Sequence, residues 1–133
     1  MPLPISGGGY QVGDGNLAEI DFFSQPSPMT ATATATITAA QILGGLLVGD
    51  PTASAATYTL PTGALLDAAL QSVEKNDVAF DLRIINLGTS SGVITLAAST
   101  GITIVGVATI AITSSAAVRF RRTGVATWVA YRI

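Results

Sequence analysis

This sequence contains neither histidine nor cysteine, so any chemistry falls to eight carboxylates: Asp14, Glu19, Asp21, Asp50, Asp67, Glu74, Asp77 and Asp81. Histidine is the usual general base and the commonest metal ligand. Cysteine would supply thiolate nucleophiles, disulfides and sulfur metal sites. A glycosidase needs two carboxyl groups across a cleft, and no pair here suggests acid–base work. Asp81 and Arg83 lie two residues apart, as do Arg119 and Arg121, so each pair shares one face of a strand. A carboxylate beside guanidinium groups keeps a low pKa and makes a poor general acid. The same residues serve well as cross-strand or intersubunit ion pairs that fix register. All four are therefore expected at or near a subunit interface.

Two further stretches are weaker pointers. Gly13-Asp14-Gly15-Asn16 has the flavour of a calcium loop, but the later acidic positions at the required spacing are missing, and a turn is the better reading. Arg119-Phe120-Arg121-Arg122 combines arginine with an aromatic ring, as nucleic-acid surfaces do. Strand alternation splits those residues between two faces, and the chain carries a net charge of −2 with a single lysine. The expectation is a protein that is not an enzyme, needs no cofactor or metal, and binds no nucleic acid.

The elements that position these residues are mostly strands. Residues 78–96 alternate apolar and polar positions through Phe80, Leu82 and Ile84, break at Gly88–Gly92, and resume at Val93, Ile94 and Leu96. That pattern predicts a β-hairpin with a five-residue connection. Residues 30–38, TATATATIT, have strict period two and predict one strand. Residues 39–43 fit one helical turn capped by Thr38. Residues 62–73 predict the one convincing helix, capped by Thr62, with Leu65, Leu66, Ala69, Leu70 and Val73 on its inner stripe and Asp67 and Gln71 outward. Strands follow at 102–105, 107–112, 116–122 and 126–132, the last containing Trp128 and Tyr131. About eight strands with one short helix predict a mainly β domain, a jelly-roll-like β-sandwich.

Residues 1–29 differ from the rest. Pro2, Pro4, Pro26, Pro28 and the run Gly7-Gly8-Gly9 forbid a continuous helix or central strand. Tyr10, Val12, Leu17, Ile20, Phe22 and Phe23 nevertheless make the segment apolar. It reads as an extended N-terminal arm whose side chains anchor on a partner, followed by a β domain over residues 30–133. Charged residues are only 11% of the 133, against roughly a quarter in ordinary soluble domains, while 49% are hydrophobic. So little charge suits a surface covered by other chains. The first residues lack the basic and apolar regions of a signal peptide, and residues 92–112 are too broken for a membrane helix. A protein made in the cytoplasm, with no membrane partner, is expected.

The segments TITAAQILGGLLVGDPTASAATYTLPTGALLDAAL, FDLRIINLG and VRFRRTGVATWVAYRI resemble small β-rich structural proteins of tailed bacteriophages, the capsid decoration (cement) or virion-surface fibre proteins. The likeness spans residues 30–133 as an order of segments. It implies a homotrimer on the outer capsid surface, partnered by the major capsid protein and reaching it through the arm and the base of the domain. It brings no catalytic residues with it. The alternative within the same resemblance is a receptor- or glycan-binding fibre module, which would use Tyr58, Trp128 or Tyr131 as exposed stacking surfaces.

Overall fold

Strands with one apolar face must bury it, and here they do so by facing one another in two sheets. The computed structural model describes residues 24–71 and 75–133. In chain order the elements are β1 (Met29–Ala31), β2 (Ala35–Thr36), α1 (Ala39–Leu43), β3 (Leu46–Gly49), β4 (Ala56–Thr59), α2 (Gly63–Ala69), β5 (Ala79–Asn86), β6 (Ile94–Ala97), β7 (Ile102–Val105), β8 (Thr109–Ile110), β9 (Ser115–Gly124) and β10 (Thr127–Arg132). The larger sheet has the order β1-β3-β5-β9-β10-β7, the smaller β2-β4-β6-β8. Between them lie Leu47, Leu82, Ile84, Val118, Phe120 and Trp128 from the first, and Tyr58, Ile94, Leu96 and Ile110 from the second. The architecture is thus a mainly β, two-sheet sandwich, as the alternation of apolar residues predicts. Among the described residues no helix is long and apolar enough to cross a membrane.

The connectivity departs from a jelly roll. From β1 to β8 each strand lies in the opposite sheet from the one before it, and β1-β3-β5 and β2-β4-β6 run parallel. A jelly roll is antiparallel. Parallel neighbours need a crossover; here the chain crosses to the other sheet and returns, by way of α1 after β2 and α2 after β4. Among the described residues there are ten strands and two helices, against about eight and one expected for the chain. Alternation reveals that a segment is a strand and which face is apolar, but not which strand is its partner.

Two expectations fail for this reason. The hairpin over residues 78–96 does not form: β5 pairs with β3 and β9, whereas β6 pairs with β4 and β8 in the other sheet. Asn86 directs the chain across. Fully buried, it donates from Nδ2 to the carbonyls of Gly92, Ile110 and Ala111 at 3.0, 3.0 and 3.1 Å, and its Oδ1 accepts from the Gly88 N–H at 2.7 Å. The TATATATIT strand likewise divides into β1 and β2, in different sheets. The hydroxyl of buried Tyr58 donates to the carbonyls of Ala31 and Thr32 at the corner between them. Tyr58 reaches that corner past Gly49, where a Cβ would stand 2.7 Å from Ile94 Cδ1 and 3.0 Å from Tyr58 Cε2. The strand predicted over 107–112 contracts to β8.

Both predicted caps are present. Thr38 Oγ1 accepts from the Gln41 N–H while the Gln41 side chain reaches back to the Thr38 N–H, a full capping box. Thr62 Oγ1 accepts from the Leu65 N–H. The inner stripe of α2 is rotated from the expected one, because Leu65 is 55% exposed and Asp67 is buried. Val73 lies outside the described residues.

Replacing Asn86 by Leu keeps the volume but strands three carbonyls and one N–H in the core. Such a change should cost about 3 kcal/mol. Urea unfolding should show a lower midpoint with an unchanged m-value.

Candidate interaction surface

Strand β9 sets out the charged residues. Its alternation places Ala116, Val118, Phe120 and Arg122 on the core side and Ala117, Arg119, Arg121 and Thr123 on the outer side. Strand β5 beside it turns Leu82, Ile84 and Asn86 inward, while Asp81, Arg83 and Ile85 lie on the outer face. The outer face of the larger sheet therefore gathers Asp81, Arg83, Arg119 and Arg121, the four residues singled out by their spacing.

Asp81 and Arg119 stand directly opposite in the β5–β9 register and form a bidentate pair, Nε to Oδ1 at 2.7 Å and Nη2 to Oδ2 at 2.9 Å. The Arg119 hydrogen bonds hold the Asp81 carboxyl below its usual range against the opposing effect of desolvation, with the Arg119 and Arg83 charges adding to the lowering. Arg121 donates to the Tyr131 hydroxyl on β10 at 3.1 Å and to Asp77 Oδ1 at 2.8 and 3.0 Å, and both partners favour its charged form. Arg83 makes no side-chain hydrogen bond or ion pair among the described residues. These pairs lie within one chain, and they fix the register of β5, β9 and β10. Beside them a shallow groove of about 310 Å³ crosses β3, β5 and β9, lined by apolar Leu46, Ile85, Ala116, Ala117 and Ile133 together with Arg83, Ser115 and Arg132.

The third arginine of that run has a different place, which the sequence did not reveal. Arg122 reaches inward from β9 and is 5% exposed. It donates from Nε and Nη2 to the two carboxylate oxygens of Asp67 at 3.0 and 3.2 Å. The Trp128 indole N–H and the Ala126 N–H also donate to that carboxylate, at 3.0 and 2.7 Å. Arg122 above all, with these two donors, holds Asp67 down to about 2 despite its burial. Expected to face water, Asp67 instead ties α2 to β9 and β10. Helical spacing could not show this, because the deciding partner, Arg122, lies 55 residues away. The signal present in the sequence was the adjacency of Arg121 and Arg122, because strand alternation must direct one of the two into the core.

A carboxylate with four donors is a fixed anion, not a proton carrier. Asp77 and Asp81 are paired with arginines, and Asp50 accepts from the Thr52 N–H. Among the described residues no three carboxylate, histidine or cysteine groups come together to hold a metal ion. Tyr58 and Trp128 are 0% and 1% exposed, so neither ring offers a stacking surface; Tyr131 is partly exposed. The arm residues Tyr10, Val12, Leu17, Ile20, Phe22 and Phe23 lie outside the described residues. No protein-family model, curated protein or solved structure matches the chain.

The Asp67 site predicts an acid-sensitive fold. Its folded pKa is depressed from an ordinary value near 3.9, so its contribution is complete above about pH 4 and is lost as pH falls through about 2. Asp81, also lowered, acts in the same direction. Replacing Asp67 by Asn should cost about 2 kcal/mol at pH 7, since it removes the charge from a carboxylate that accepts two hydrogen bonds from buried Arg122. It should also flatten the loss of stability between pH 4 and 2. Urea denaturation of both proteins across that range measures each effect.

Proposed function

We propose that this chain is a structural virion protein of a tailed bacteriophage, a homotrimeric capsid decoration or cement protein that binds and stabilises the head shell. The observation that carries the reading is the outer face of the six-stranded sheet. It presents half-buried Leu46, Val48, Ile85, Val129 and Tyr131 beside the ordered ion pairs of Asp81, Arg119 and Arg121. Apolar area with a few fixed charges is what a protein–protein contact uses, the first for adhesion and the second for orientation. A chain with only 11% charged residues has little else to keep such a face in water.

The resemblance of residues 30–133, in the order of their segments, to phage decoration proteins supports the same reading. In this reading Asp81, Arg83, Arg119 and Arg121 lie near the subunit contact around the three-fold axis. The N-terminal arm, through Tyr10, Val12, Leu17, Ile20, Phe22 and Phe23, grips the major capsid protein. A glycan-binding fibre module is the less favoured role, because two of its three candidate rings are in the core.

Sedimentation equilibrium of the purified protein should give three times the chain mass of 13.4 kDa; a monomer at micromolar concentration would argue against the trimer. Shells lacking the protein should bind it and resist heating to a higher temperature. A variant lacking residues 1–23 should lose most of that binding. Equal binding by both proteins would remove the arm from the mechanism.

A further inference from the structure

An edge strand presents unpaired N–H and C=O groups, and proteins blunt such edges by keeping them short or by placing charge or proline on them. Among the described residues four strands lie at sheet edges. Strands β2 and β8 have two residues each, and β1 has three and directly follows Pro28. Strand β7, Ile102–Val105, has four and carries none of these devices. The whole stretch 84–118 around it contains neither a charged residue nor a proline. The Trp128 N–H donates to the Gly101 carbonyl at 2.8 Å, which sets the phase of the parallel ladder between β7 and β10. Thr103 and Val105 therefore turn their backbone groups to β10, and Ile102 and Ile104 turn theirs away. The Ile102 N–H is taken by the Ser99 carbonyl at 3.0 Å. On the open edge stand the Ile102 carbonyl and both backbone groups of Ile104.

Only another extended strand matches such an edge, and β7 matches itself. Ile104 offers a donor and an acceptor together, so two copies laid antiparallel across a two-fold axis at this residue exchange both hydrogen bonds. The same axis sets Thr103 opposite Val105 of the partner subunit, the closely spaced kind of cross-strand pair. Val105 is 48% exposed and stands beside Tyr131 on the outer face, so the pairing covers apolar surface. With no charge on the strand, self-pairing brings no like charges together. We propose that two copies of this chain join through β7, antiparallel across a two-fold axis at Ile104, making their larger sheets continuous. The contact uses the edge of the sheet and not the outer face assigned above to the three-fold axis. It therefore stands whether the basic unit is one chain or three, and in the second case it links one trimer to the next. Four residues on each side bury much less than the roughly 1,200 Å² of a stable interface. The association should accordingly appear only above micromolar concentration.

Sedimentation velocity of the full chain from micromolar to about millimolar concentration should show the mass of the basic unit doubling. Val105→Lys, on an exposed side chain, should raise the concentration at which this happens roughly tenfold, because the two-fold axis counts the substitution twice. The chain has no cysteine of its own, so register can be read separately. Thr103→Cys and Val105→Cys are prepared as two proteins and oxidised alone and mixed, and denaturing gels follow the two-chain band. The mixture should cross-link several-fold faster than either protein alone, since residue 103 faces residue 105 and neither faces itself. Circular dichroism verifies that each variant is folded. A mass that does not double overturns the proposal. So does a doubling that Val105→Lys leaves unchanged, or a mixture no faster than its components. The mass at micromolar concentration tests the trimer on its own, so failure there is distinct from failure of the β7 contact.

Discussion

The buried carboxylate of Asp67 is the constraint on which much of this structure depends. A short helix of seven residues has little stability of its own in water, and α2 is held by what its one acidic side chain reaches. Arg122, Trp128 and Ala126 belong to β9, β10 and the turn between them. One ion thereby joins the middle of the chain to its end. Burying it is costly unless every oxygen is satisfied, and here both accept two hydrogen bonds. The site also positions Trp128, which meets Phe80 edge to face at 5.6 Å, and Phe80 stacks on Phe120 at 5.1 Å.

Much of the fold was legible because strand periodicity is a local property. Phe80, Leu82 and Ile84 face inward from β5, Val118 and Phe120 from β9, and Thr38 and Thr62 cap their helices, as residue type and spacing predict. What the sequence hid were relations between distant segments. The parallel order of β1, β3 and β5 follows from where the chain crosses between sheets, and those crossings are set by Tyr58 and Asn86 through contacts with other segments. Asn86 stands in a run that reads simply as the end of a strand. Its four hydrogen bonds become visible only once β6, β8 and the loop before β6 surround it.

The charged outer face of the larger sheet was legible to the same degree. Asp81, Arg83, Arg119 and Arg121 do share one face, since period two places them there. Their partners were not deducible: Asp77 and Tyr131 join the set through the registers of β9 and β10, and the adjoining groove exists because β3 lies next to β5. Charge on this face is ordered laterally along the strands. Leu46, Val48 and Ile85 lie toward β3 and Val129 toward β10, with the ion pairs of Asp81, Arg119 and Arg121 between them.

Alternation of consecutive strands between two sheets winds the chain in circuits. Met29, Thr30 and Ala31 stand against Leu47, Val48 and Gly49, which continue in register onto Ile84, Ile85 and Asn86. Each of the first three circuits thus repeats the place of the one before it, one strand further along both sheets. Strand β7 breaks the series, lying at the far edge beside β10. The described chain therefore starts as a coil of repeated turns and finishes in an antiparallel ribbon that Asp67 ties back to its middle.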